Sequence, residues 1–121
     1  MRVLVVDDSP AIRARLMALL GEVGGLDVIG ASAADEALRV LRDRGADVVV
    51  LDLHMPGTTG IEILPALKAL DPSPLVVVLT GHPTEHHRRS CLALGADYFF
   101  DKSTEFARVV ELLDRPNPGA R

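Results

Sequence analysis

Four short apolar runs, each closing on a residue suited to phosphate or its metal, constrain this chain more than any other feature. Val3 to Val6 ends in Asp7-Asp8, Val48 to Leu51 in Asp52, Leu75 to Leu79 in Thr80, and Tyr98 to Asp101 in Lys102. β-Branched runs of this length, separated by segments of helical period, read as parallel strands buried on both faces. In such sheets ligands bind beyond the carboxyl ends of the strands. Three carboxylates, a hydroxyl and an ammonium are therefore expected to converge on one site.

The segments between the runs carry helix signals, so the chain reads as five βα units. Ser9 is a candidate N-cap with Pro10 at the first helical position, followed by an apolar stripe of Ile12, Leu16, Leu19, Leu20 and Val23 that Gly24-Gly25 ends. A second strand, Leu26 to Ala31, precedes Ser32-x-x-Asp35, which has the form of a capping box, and Gly45 closes that helix. The third helix follows Thr59 and contains Pro65, which predicts a kink or a late start. Thr84 and Ser103 are the expected caps of helices four and five, with Gly95 ending the fourth. Residues 1–115 form one domain in this reading, and 116–121, rich in proline, a frayed tail.

Composition removes several function classes. At 121 residues the chain supports one core, and its net charge of -4 offers no basic footprint for nucleic acid or for an anionic membrane. No apolar run approaches the roughly 20 residues of a membrane span. The lone cysteine, Cys91, excludes an internal disulfide, and Met1-Arg2-Val3 enters a strand without signal-peptide architecture. A cytoplasmic protein with protein or small-anion partners is the expectation.

Charge decides what the converging residues can hold. Carboxylates about 4 Å apart repel by roughly 1 to 4 kcal/mol per pair, more than one lysine can offset. The cluster calls for a dication, and an all-oxygen donor set suits Mg²⁺ better than zinc. Asp52 could then act as a carboxylate nucleophile toward a phosphoryl group, with Lys102 and the metal neutralising its oxygens and Thr80 donating a hydrogen bond. Only two of the thirteen basic residues are lysines, so a compact ammonium at position 102 is not what composition alone would place there.

At these residues the chain resembles the receiver domain of two-component response regulators, the family that includes the CheY-like chemotaxis regulators. The likeness runs from residue 2 to about 114. It rests on Asp7-Asp8, Leu51-Asp52-Leu53-His54-Met55-Pro56-Gly57 with Gly60, Leu79-Thr80-Gly81, and Gly95-Ala96-Asp97-Tyr98 leading to Lys102. The resemblance implies a doubly wound, flavodoxin-like (βα)5 fold with a five-stranded parallel sheet in the order 2-1-3-4-5. It also implies that Asp52 is the phosphoacceptor, that Asp8, Asp52 and the His54 backbone carbonyl ligate Mg²⁺ directly, and that Asp7 acts mostly through water. The implied donor is the phosphohistidine of a histidine kinase or phosphotransfer protein. Phe99 takes the position of the switch aromatic, whose ring moves inward as Thr80 turns toward the phosphoryl group. A surface of helix 4, strand 5 and helix 5 would then meet a downstream protein, as a monomer or a phosphorylation-dependent dimer.

Two departures from the common family pattern stand out: Ser103 follows Lys102 where proline is usual, and Phe99 lacks a tyrosine's hydroxyl. His54 and His82 lie where they could tune aspartyl-phosphate lifetime with pH, although solvated loop histidines are the plainer reading. His86, His87, Arg88 and Arg89 form a basic patch that could receive an acidic surface.

Rival readings are a haloacid-dehalogenase-like small phosphohydrolase and a nucleotide- or flavin-binding module. The first needs an acid/base Asp two residues after its nucleophile, where this chain has His54, and places the nucleophile after the first strand. The second needs a glycine- or hydroxyl-rich phosphate loop where this chain has Asp7-Asp8-Ser9-Pro10. The expectation is a protein that catalyses only its own aspartyl phosphorylation and dephosphorylation. Within the family, a stand-alone receiver, a phosphorelay or phosphate-sink receiver, and a piece of a longer regulator all remain open.

Overall fold

The computed structural model describes residues 1–53, 60–81 and 83–114. Its elements alternate along the chain: β1 (Arg2–Val6), α1 (Pro10–Gly21), β2 (Asp27–Ala31), α2 (Ala34–Asp43), β3 (Val48–Leu51), α3 (Gly60–Lys68), β4 (Leu75–Thr80), α4 (Glu85–Ala93), β5 (Tyr98–Asp101) and α5 (Phe106–Leu113). All strand pairs are parallel and their order is β2-β1-β3-β4-β5, the expected doubly wound arrangement.

Strand alternation divides the apolar residues between two cores. Leu4, Val6, Val49, Leu51, Val76 and Val78 face Ala37, Leu41, Leu64, Leu67 and Cys91 from α2, α3 and α4. Val3, Val5, Val48, Val50, Val77 and Leu79 face Leu16 and Leu20 of α1 and Phe106, Val109, Leu112 and Leu113 of α5. Each fully buried Val or Leu contributes roughly 1.5–3 kcal/mol. This two-sided burial fixes the register, because a one-residue slip would exchange the two cores.

Side-chain caps explain where two helices, α1 and α4, begin. Ser9 accepts from the Ile12 amide with Pro10 next to it, and Thr84 accepts from the His87 amide at 3.0 Å, both as expected. The other two expected caps are displaced. Ala33, not Ser32, occupies the N-cap of α2, and it is Glu36 that reaches back to accept from the Ser32 amide at 2.7 Å. A glutamate has the reach for this backward bond, which Asp35 does not make; its carboxylate accepts from the neighbouring Glu36 amide. Helix α5 begins after Glu105 rather than after Ser103, because Ser103 turns back onto Asp101.

Pro65 lies inside α3, which runs from Gly60 through to Lys68. The late start is therefore not observed, and the helix resumes its bonding immediately, with the Ala69 amide donating to the Pro65 carbonyl at 3.0 Å. Thr59, expected to precede the third helix, and the proposed tail, 116–121, lie outside the described residues. Among the described residues no helix is long and apolar enough to cross a membrane.

Candidate functional site

The strand order reverses at β1, so the carboxyl ends of β1 and β3 lie side by side at the switch point. Val6 pairs with Leu51, and the Asp52 amide donates to the Val6 carbonyl at 2.9 Å. The residues that follow the two strands are consequently neighbours. Asp7, Asp8 and Asp52 each offer a carboxylate oxygen within 4.8 Å of the others. Asp7 and Asp52 are buried, 4% and 5% exposed, whereas Asp8 opens to solvent.

Lys102 enters at the same carboxyl end from β5, the edge strand. Its amide donates to the Thr80 carbonyl at 2.8 Å, which anchors the residue beside the end of β4. Its Nζ donates to Asp7 Oδ2 at 2.8 Å and stands 3.5 Å from Asp52 Oδ2. One ammonium thus serves two buried carboxylates, and with all groups ionised the cluster keeps a net charge of about -2. The donor set is hard oxygen throughout, and its residual charge matches a dication. Asp7, Asp8 and Asp52 accordingly fit Mg²⁺, which prefers carboxylates and keeps several waters.

Asp7 is the most constrained member. Its amide donates to the Ala31 carbonyl at 3.1 Å, Oδ1 accepts from the Ser9 amide at 2.9 Å, and its carbonyl accepts from the Arg13 guanidinium at 2.7 Å. Sequence reading missed Arg13, a residue of α1 that belongs to no motif. The built Cβ of a residue replacing Gly30 would come within 3.1 Å of Arg13 Cδ and 2.8 Å of Met17 Sδ, so a glycine in β2 leaves room for this side chain.

Thr80 is fully buried at the end of β4 and pairs in register with Asp101. Phe99 pairs with Val78, lies on the same sheet face as Thr80, and is half-buried against the α2–α3–α4 core. Phe100 packs on the opposite face, stacked on Tyr98 with ring centroids 6.0 Å apart. The expected split of the two phenylalanines is present, and Phe106 fills the core as a structural aromatic. The patch on α4 is exposed at His86, Arg88 and Arg89, and Arg89 pairs with Glu85 at 3.7 Å. His54 and His82 lie outside the described residues.

Residues 3–114 match the family described as the response regulator receiver domain. The chain belongs to that family. It is 35% identical over 117 residues to the sensory/regulatory protein RpfC of Xanthomonas campestris pv. campestris, covering 93% of this chain and 16% of RpfC. It is 33% identical over 113 residues to the response regulator GacA of Pseudomonas viridiflava, covering 93% of this chain and 53% of GacA. The chain thus spans between about a sixth and about half of such relatives. Among solved structures, a LuxR-family two-component response regulator from Aurantimonas superposes with a TM-score of 0.85 at 30% identity, covering 93% of this chain and 81% of the other. The chemotaxis protein CheY4 of Vibrio cholerae does so at 0.83 and 28%, covering 94% and 96%. The acidic cluster of Asp7, Asp8 and Asp52 fits the phospho-aspartate and Mg²⁺ site of a receiver domain, and membership implies interaction with histidine kinases or phosphotransfer proteins.

Proposed function

We propose that Asp52 is the residue that stores the phosphoryl group, and that it takes it from a phosphohistidine in a Mg²⁺-dependent transfer. The observation that carries this reading is Lys102 Nζ between the buried carboxylates of Asp7 and Asp52, with Asp8 opening the cluster to solvent. An Asp52 carboxylate oxygen forms the new bond to phosphorus as the phosphorus–nitrogen bond breaks, and the imidazole leaves with its ring nitrogen reprotonated. Mg²⁺, when bound, supplies positive charge to the phosphoryl oxygens. Asp7, Asp8 and Asp52 would hold it, joined by the His54 carbonyl on the family pattern. Lys102 moves its donation from Asp7 toward the incoming oxygens, and Thr80 donates its hydroxyl there. Asp7, fixed by Ser9, Arg13 and the Ala31 carbonyl, keeps its place as the charges rearrange.

The group is stored rather than turned over. A phosphohydrolase of the aspartate-nucleophile type would need an acid two residues after Asp52, and the sequence has His54. Phosphorylation would draw Thr80 toward the site and Phe99 inward on the same face, altering the α4–β5–α5 surface offered to a downstream protein.

The test is incubation of the chain with phosphoramidate and Mg²⁺, followed by intact-mass measurement. One phosphoryl group per chain is expected, lost in Asp52→Asn and on chelation. Labelling that persists in either case would falsify the assignment. Steady release of phosphate from a phosphomonoester over many turnovers would favour the hydrolase instead.

A further inference from the structure

The family pattern places proline after the lysine, and this chain has serine, so something else must hold the loop that presents Lys102. A closed set of hydrogen bonds surrounds it. Asp101 Oδ1 accepts from the Ser103 amide at 2.9 Å and from the Ser103 hydroxyl at 2.7 Å. The Asp101 amide donates to Glu105 Oε1 at 3.1 Å, and the Glu105 amide donates back to the Asp101 carbonyl at 2.7 Å. The second oxygen of Glu105 accepts from Arg108 of α5 at 2.8 Å. Lys102 sits inside this loop, with its own amide on the Thr80 carbonyl.

We propose that Asp101, Ser103 and Glu105 form a clasp that positions Lys102, fixing its backbone so that the ammonium rests between Asp7 and Asp52. None of the three touches the acidic cluster through a described hydrogen bond; each acts through the lysine. The geometry is that of a side-chain turn closed by a carboxylate, which does with hydrogen bonds what a proline does by restricting φ. The Ser103 bonds also hold the Asp101 carboxyl below the usual carboxylate range, so at neutral pH the clasp is closed by an ionised acceptor.

The chain offers an internal control, because its lysines are Lys68 and Lys102 alone. Lys68 pairs with Asp97 at 3.0 Å and donates to the Pro74 carbonyl, away from the clasp. Brief acylation of the whole chain with an amine-reactive ester, read by peptide mass, gives the rate at Lys102 relative to Lys68. Asp101→Ala is expected to raise that ratio about 3- to 10-fold, the net value of one ordinary hydrogen bond or more, and Ser103→Ala by a smaller factor. Asp101→Asn, which keeps the acceptor oxygen, should restore most of the protection. An unchanged ratio in Asp101→Ala overturns the clasp, as does an Asn variant that behaves like Ala. A rise at both lysines means general loosening of the fold and overturns it too.

A second arm rests on the phosphoacceptor reading. Phosphorylation by phosphoramidate and Mg²⁺ should slow in Asp101→Ala by a similar factor, yet not slow further when Lys102→Ala is already present. Additive losses would show that Asp101 does not act through Lys102. If the unmodified chain takes no phosphoryl group, the reading of Asp52 fails while the acylation ratio still decides the clasp.

Discussion

Lys102 lies closer to Asp7 than to Asp52: Nζ stands 2.8 Å from the first carboxylate and 3.5 Å from the second. The lysine is therefore a tethered counter-cation for the acidic cluster, before it is a ligand for any phosphoryl oxygen. Lys102 and Mg²⁺ answer the same excess of negative charge, so they compete electrostatically for it.

That competition gives the first prediction. Lys102→Ala leaves Asp7 and Asp52 buried without their cation, at a cost of about 2–4 kcal/mol in metal-free buffer. It should also bind Mg²⁺ more tightly, by about tenfold, since one nearby positive charge is gone. Thermal melts with and without Mg²⁺ check both: the variant melts lower in chelator and gains more from the metal than the parent chain does. Equal gains would show that Lys102 does not offset the cluster.

The second prediction concerns acid. The hydroxyl and amide of Ser103 hold the folded-state Asp101 carboxyl below its ordinary value, so its contribution to stability is present above the unfolded pKa near ~4. It is lost as pH falls through the lower folded value. Asp101→Asn should therefore be less stable than the parent at neutral pH, and the gap should close progressively below about pH 4. Denaturation midpoints measured from pH 7 to pH 3 would reveal this convergence; a gap that widens toward acid contradicts it.

Cys91 supplies the third. It is fully buried on the inner side of α4, and burial pushes its thiol up, favouring the neutral form. The thiolate is the reactive species, so alkylation at pH 8 should be slow in the folded chain and fast in denaturant. Any stability drawn from the raised value is present at neutral pH and fades as pH climbs through the folded pKa. Rapid native-state alkylation would mean that α4 opens readily from the sheet.

How far these features were legible in the sequence depends on their range. The strands and the convergence of Asp7, Asp8, Asp52 and Lys102 followed from β-branched runs with polar ends, because two-sided burial leaves such runs little choice, whereas the strand order came only from the family resemblance. Ser9 and Thr84 were legible as caps because each acts on an amide three residues away. Ser32 and Ser103 misled for one reason: a nearby acid competes for the same polar groups. Glu36 captures the Ser32 amide and hydroxyl, and Asp101 captures those of Ser103, so each helix starts later than the serine suggests. Arg13 was illegible because its partner is a backbone carbonyl, which no residue pattern advertises.

The last prediction tests the junction that delivers β5 to the site. Gly95 ends α4 with φ +110°, a conformation L side chains rarely adopt, and an added Cβ would come 2.7 Å from Lys68 Cγ. Gly95→Ala thus combines backbone strain with displacement of Lys68, whose ammonium holds Asp97 and the Pro74 carbonyl at 3.0 Å each. Asp97 in turn accepts from the Val76 amide at 2.8 Å, linking the β5 entrance to β4. The expected loss is about 2–3 kcal/mol, or a fall of roughly 6–15 °C in melting temperature for a domain of this size. Because the strain sits at the opposite end of β5 from Lys102, Mg²⁺ should still stabilise the variant by as much as it stabilises the parent. A reduced Mg²⁺ response in Gly95→Ala would show instead that the β5 entrance and the acidic cluster are mechanically coupled through Phe99 and Lys102.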